Sequence, residues 1–211
     1  MQAFDSLSRN IQQYIYDKGW PSLTRIQNAA IKQVANTDHN LILSAPTASG
    51  KTEAAFIPAL NSVEDWDTGL KVLYISPLKA LINDQFQRIS ELSEYLDIPI
   101  TRWHGEVSQA QKRKVVNQPK GVLLITPESI EGMLVNRPGE AQHLFKGVEW
   151  IIIDELHSFL GTERGIHLQS LLQRISQFMQ EPRFIAMSAT LNKKDFGYAK
   201  AFFGSQRDTD I

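Results

Sequence analysis

Ser44-Ala45-Pro46-Thr47-Ala48-Ser49-Gly50-Lys51-Thr52-Glu53 follows directly on the apolar run Leu41-Ile42-Leu43. The residue types read as a buried strand, a tight loop and the start of a helix, with Gly50-Lys51-Thr52 where loop meets helix. Such a junction suits a nucleoside triphosphate. Backbone N–H groups of Thr47, Ala48, Ser49 and Gly50 and of the helix N-terminus can converge on the β- and γ-phosphates. Lys51 adds a point charge there, and the Thr52 hydroxyl can reach a phosphate-bound Mg²⁺. The common pattern opens with glycine, whereas Ala45 stands here, so the match is to a relaxed form. The competing reading is a chance Gly-Lys-Thr at an ordinary helix start, and the rest of the chain has to decide between them.

With 211 residues, 42% of them hydrophobic, the chain can fill one generous core or two small ones. The net charge of -1 gives no global basic field, so any nucleic-acid contact must be local. Without cysteine there are no disulfides or thiolate zinc sites, which fits a reducing compartment. The N-terminal residues carry no signal-peptide pattern, and no segment approaches the roughly 18 apolar residues that span a bilayer. The expectation is a soluble, cytoplasmic globular protein with no membrane partner.

Outward from the loop, apolar strands and amphipathic helices alternate. Helices are expected over Phe4–Tyr16 and again after Gly19-Trp20-Pro21-Ser22, where Ser22 or Thr24 can cap. Beyond the loop, strands are expected at Lys71–Ile75, Ile98–Trp103, Gly121–Ile125, Val148–Ile153 and Phe184–Met187. Helices are expected at Lys51–Leu60, Leu78–Leu96, Gln109–Val116, Glu128–Val135, His167–Met179 and Lys193–Phe203. Nearly continuous apolar strands predict a mostly parallel α/β sheet with helices on both faces, its ligands gathered at the strands' carboxyl ends.

A second signal lies at one such end. Trp150-Ile151-Ile152-Ile153 runs into Asp154-Glu155-Leu156-His157. Opposite a phosphate loop, Asp154 suits the Mg²⁺ site and Glu155 suits a general base for the attacking water. Two acids at a strand end can equally cap a helix. Combined with the upstream Gly-Lys-Thr, the catalytic reading dominates, with Lys51, Asp154 and Glu155 as its working residues.

Ala45 to Thr52, Asp154-Glu155-Leu156-His157 and Ser188-Ala189-Thr190 resemble motifs I, II and III of superfamily-two helicases of the DEAD/DEAH type. Gly19 to Gln27 resembles their Q motif, Ser76 to Leu81 motif Ia, and Thr126-Pro127-Glu128-Ser129 motif Ib. Gly161 to Leu168 is similar to the stretch after motif II in the large helicase-related (Lhr-like) group, which belongs with Ski-like proteins. The resemblance implies a RecA-like P-loop domain, with N-terminal helices and the Q-like segment in residues 1–40 and the ATP-binding core in 41–211. It implies ATP and Mg²⁺ as cofactors, with Gln27 reading adenine and Arg25 beside it in the nucleotide-binding set. It also implies a DNA or RNA strand held by its backbone, with Pro77, Lys79, Thr126 and Pro127 in contact. Those four lie just beyond strands, where helix starts can present N–H groups to phosphates, although proline there also simply initiates helices. His157, Ser188 and Thr190 are implied to couple the phosphate site to the bound strand and to a second RecA-like domain.

Leu191 to Ile211 are too few to form that second domain, so it is expected elsewhere, in a longer protein or a partner chain. His104 sits after a strand, where it can meet nucleic acid. Trp103 is read as core, and Lys112-Arg113-Lys114 as a solvated helix face. The alternative function is a P-loop kinase or small-molecule ATPase. That reading leaves the Ia-like, Ib-like and Ser-Ala-Thr stretches without a purpose.

Overall fold

In the computed structural model, which describes residues 2–204 and 207–211, the alternation produces a single parallel sheet. Its strands are β1 (Asn40–Ser44), β2 (Gly69–Ile75), β3 (Ile100–Trp103), β4 (Lys120–Ile125), β5 (Trp150–Ile153), β6 (Arg183–Ser188) and β7 (Thr209–Asp210). Among the described residues these seven strands lie in the order β3-β4-β2-β5-β6-β1-β7, every ladder parallel. The order matters for function: β1, which carries the phosphate loop, is separated from β5 only by β6.

Alternate residues of each strand face opposite layers. Leu41, Leu43, Tyr74, Ile152 and Ile185 point into one core with α1 (Arg9–Asp17), α2 (Arg25–Asn36), α3 (Lys51–Ser62) and α4 (Lys79–Tyr95). Ile42, Leu73, Ile75, Ile151 and Ile153 point into the other, which draws on α6 (Pro127–Asn136), α7 (Pro138–Phe145) and α8 (Glu163–Ser176). The basic helix α5 (Gln109–Asn117) buries only Val115, and α9 (Phe196–Ala201) buries Ala199. Because both faces are covered, the central strands are apolar through most of their length, Lys71 of β2 excepted, which is why they read as apolar runs.

One local expectation needs correction, and two elements fall where none is expected. The first helix does not run through from Phe4: a short 3-10 turn, Phe4–Ser6, is followed by extended Leu7. That break lets Leu7 bury, and it turns the Ser8 N–H onto Asn61 Oδ1 at 2.7 Å. The helix α7 falls where no element is expected, and it opens on Pro138-Gly139. Pro138 occupies the first turn, where its missing N–H costs nothing, and Ala141, Leu144 and Phe145 bury. The strand β7 is two residues long and leaves no periodicity to read.

Candidate active site

Two residues of the phosphate loop adopt left-handed backbone: Ala48 at φ 60° and Gly50 at φ 83°. At Gly50 the absence of a side chain is needed twice. Besides the positive φ, a Cβ there would stand 2.7 Å from the Gln27 amide nitrogen. Beyond the loop, Lys51 opens α3 and folds back over the loop, its Nζ donating to the carbonyls of Ala45 at 2.5 Å and Pro46 at 2.6 Å. Thr52 is buried, and its hydroxyl donates to Gln85 Oε1 of α4 at 3.1 Å. The Ser49 hydroxyl is buried with no partner. Thr47 is exposed.

The Gln27 side chain is buried against this loop. Thr24 caps α2, and Gln27 completes a capping box by accepting the Thr24 N–H at 2.9 Å. Its amide nitrogen reaches the Gly50 carbonyl at 3.5 Å. Thus the segment read as adenine-sensing also braces the phosphate loop. Arg25, the first residue of α2, is exposed.

Asp154 and Glu155 leave β5 at the same end of the sheet. Ser44 is level with Ser188, and Ile153 is level with Ala186, so the loop and the acid pair flank the end of β6. Two strand spacings separate β1 from β5 by about 10 Å. Across that gap the charges are felt. Burial lowers the Lys51 pKa, and the negative charges of Glu155 and Asp154 oppose the shift. Burial raises the Asp154 pKa, countered first by a hydrogen bond from the Tyr74 hydroxyl to Oδ2. Asp154 Oδ1 accepts the Glu155 N–H at 2.9 Å. Glu155 itself is left-handed, at φ 50°, a conformation uncommon for a non-glycine residue.

From there a chain of polar contacts crosses to β6. His157 Nδ1 lies 3.2 Å from Glu155 Oε2 and 3.2 Å from Ser188 Oγ. The Ser188 hydroxyl in turn donates to the Thr190 carbonyl at 2.9 Å. The three coupling candidates are therefore joined to one another and to the acid pair.

The strand-contact candidates cluster beyond β2 and β4. Pro77 is buried, and Lys79 opens α4 paired with Glu106. Thr126 caps α6 by accepting the Ser129 N–H at 3.3 Å, and Pro127 fills the first helical position. Arg164, at the start of α8, bridges the two groups. Its guanidinium donates to the Pro77 carbonyl at 2.5 Å and to Glu128 Oε1 at 2.6 Å. His104 is buried with neither ring nitrogen partnered, and burial, followed by the Arg102 charge, lowers its pKa. Trp103 is buried as core, with Lys112 above its ring. Sequence reading assigned no role to Tyr74, Gln85 or Arg164, whose importance comes from partners distant along the chain.

The donor set suits magnesium delivered with a triphosphate. Among the described residues no group of three or more His, Asp and Glu is arranged as a metal cage. A buried carboxylate, a threonine hydroxyl and the unpartnered Ser49 hydroxyl beside a phosphate cradle match an ion that keeps most of its ligands as water and phosphate oxygens.

A phosphate loop on β1, facing an acid pair two strands away on a parallel sheet, defines a RecA-like P-loop domain. Within that class the chain belongs to the DEAD/DEAH box helicase family, whose pattern matches residues 24–196. Relatives include the ATP-dependent helicase Lhr-Core of Methanocaldococcus jannaschii, 29% identical over 100% of this chain and 26% of its own length. The Lhr helicase/uracil glycosylase of Escherichia coli is 32% identical over 89% of this chain and 13% of its own length. The chain thus spans about a quarter or less of these relatives. In three dimensions the Mycobacterium smegmatis helicase Lhr, solved bound to ssDNA and AMP-PNP, superposes with a TM-score of 0.86 at 28% identity. That match covers 100% of this chain and 28% of the other. No helix among the described residues is long and apolar enough to cross a membrane.

Proposed function

We propose that this chain is the ATP-binding motor domain of an ATP-dependent DNA or RNA helicase or translocase of the Lhr-like group. The observation that carries the reading is the placement of Lys51 and the Asp154-Glu155 pair at one end of the sheet, on either side of β6, where the two acids' charges reach the lysine. In this reading Lys51 exchanges the Ala45 and Pro46 carbonyls for phosphate oxygens, and the N–H groups of residues 47–50 cradle the same phosphates. Thr52 and Asp154 would hold Mg²⁺, which would neutralise charge developing on the phosphates. Glu155 accepts a proton from the attacking water. Gln27 and Arg25 meet the adenine.

Nucleotide and single-strand binding are carried over from the solved Lhr relative, and the two functions meet at β6. Pro77, Lys79, Thr126 and Pro127 receive the strand backbone, while His157, Ser188 and Thr190 report the nucleotide state to it. A second RecA-like lobe completes the cleft, either in a longer protein or in a partner chain. The cysteine-free composition favours a cytoplasmic setting.

Titrating ATP and a single-stranded oligonucleotide against the chain tests this directly. Both should bind, and Lys51→Ala should abolish nucleotide binding. Nucleotide affinity that ignores that change defeats the site, and ATP binding without any oligonucleotide binding favours a small-molecule ATPase.

A further inference from the structure

Tyr74 is the penultimate residue of β2, flanked by buried neighbours, and it is itself fully buried. A phenylalanine would serve the packing as well. A hydroxyl in such surroundings needs a partner, and this one donates to Asp154 Oδ2. The geometry follows from the ladder. Tyr74 lies opposite Ile152 of β5, and Asp154 sits two residues further along, on the same face of the sheet. Two residues of strand are about 6.6 Å, roughly the reach of a phenol from its own backbone. A shorter side chain at residue 74 would stop at Ile152.

The ring is fixed as well as the hydroxyl. Tyr74 stacks on Phe56 with centroids 5.5 Å apart and planes 29° apart, and Phe56 belongs to α3, the helix that Lys51 opens. One end of the tyrosine is thus packed against the phosphate-loop helix, and the other grips the acid across from it. Asp154 is held at both oxygens: Oδ2 by Tyr74, and Oδ1 by the Glu155 N–H at 2.9 Å. Two hydrogen bonds from different directions fix the rotation of the carboxylate plane and leave its remaining lone pairs for a ligand.

We propose that Tyr74 is a positioning residue for magnesium-dependent nucleotide binding, setting the orientation of the Asp154 carboxylate. This rests on the reading of Asp154 as the metal-facing acid. Partners that orient a ligating side chain strongly affect metal affinity even though they never touch the ion.

The test is equilibrium binding of a fluorescent ATP analogue to the chain over a Mg²⁺ series, for wild type, Tyr74→Phe, Asp154→Asn and the double variant. Tyr74→Phe should leave magnesium-free affinity unchanged and raise the half-saturating Mg²⁺ concentration roughly tenfold. In the Asp154→Asn background the same change should add nothing, because the carboxylate it acts through is gone. Thermal melts check folding, and Tyr74→Met, also apolar and without a hydroxyl, repeats the test if the phenylalanine variant does not fold. Magnesium dependence that survives Tyr74→Phe overturns the inference alone. An equal effect in the Asp154→Asn background also overturns it, since the tyrosine would then act through packing. A wild-type affinity indifferent to Mg²⁺ overturns the metal reading of Asp154, and this inference with it.

Discussion

Gly50 approaches Gln27 so closely that a Cβ on residue 50 would stand 2.7 Å from the Gln27 amide nitrogen. The segment proposed to sense the nucleotide and the phosphate loop are therefore one packed unit, joined by the Gln27 contact to the Gly50 carbonyl. Gly50→Ala must place a side chain at φ 83° and displace that amide. The backbone strain alone costs roughly 1–2 kcal/mol. For a chain of this size each kcal/mol lowers Tm by about 2–4 °C. Calorimetry should show that loss, and an ATP titration should show weakened binding. An unaltered ATP affinity would mean that the loop does not hold phosphate.

Glu155→Gln keeps the shape of the side chain and removes its charge. If Glu155 takes a proton from water, turnover by the full two-lobe protein should fall by about 10²–10⁴-fold while ATP affinity persists. Lys51 loses one of the charges that oppose its lowered pKa, so part of any change in binding will come through that lysine. The comparison of single-turnover hydrolysis with equilibrium binding decides the role. Parallel losses in both would reassign Glu155 to binding.

Much of this site could be read before any coordinate. The phosphate loop and the acid pair stand at ends of strands whose unbroken apolarity reveals a covered parallel sheet, and such sheets gather ligands there. Other residues stayed hidden for identifiable reasons. Tyr74 in an apolar strand resembles any core aromatic until β5 brings Asp154 beside it. Gln85 occupies an ordinary polar position of an amphipathic helix, and its meaning comes from Thr52 on another helix. Arg164 looks like a surface charge until Pro77 and Glu128, both remote in sequence, are folded around it. Periodicity reports which face of an element is buried, but not which polar side chain waits across the gap.

Glu131 gives a pH-dependent contribution to stability with a definite sign. It accepts from Arg174 and, at 3.0 Å, from His167, linking α6 to α8. The hydrogen bond from Arg174, then that from His167, holds its carboxyl below the ordinary glutamate range. A lowered folded-state pKa stabilises above the unfolded value of about 4.3 and ceases to do so as pH falls through the lower folded value. Melting wild type and Glu131→Gln from about pH 6 to about pH 3 should therefore show a Tm difference that holds at the upper end and shrinks below about pH 4. A difference that grows on acidification would contradict the ion-pair assignment.

Arg164 predicts a separation between strand binding and nucleotide binding. Its guanidinium satisfies the Pro77 carbonyl and the Glu128 carboxylate together, and it lies 5.7 Å from the Phe159 ring centroid. One planar fork thereby sets the spacing between the segment after β2 and the start of α6, the two places proposed to receive a strand backbone. Lysine carries the same charge but concentrates its donors at one point, so it cannot serve both acceptors in this geometry. Arg164→Lys should weaken single-strand affinity several-fold by misaligning the two contacts, with ATP affinity preserved because Lys51, Thr52 and Asp154 lie elsewhere. Arg164→Ala should do the same and also lower Tm, since Glu128 and the Pro77 carbonyl lose their shared donor. Fluorescence anisotropy with a labelled oligonucleotide at fixed salt reads the first effect, and an ATP titration on the same sample supplies the control. Were lysine to bind the strand as well as arginine does, charge alone would account for residue 164 and the bridging role would have to be given up.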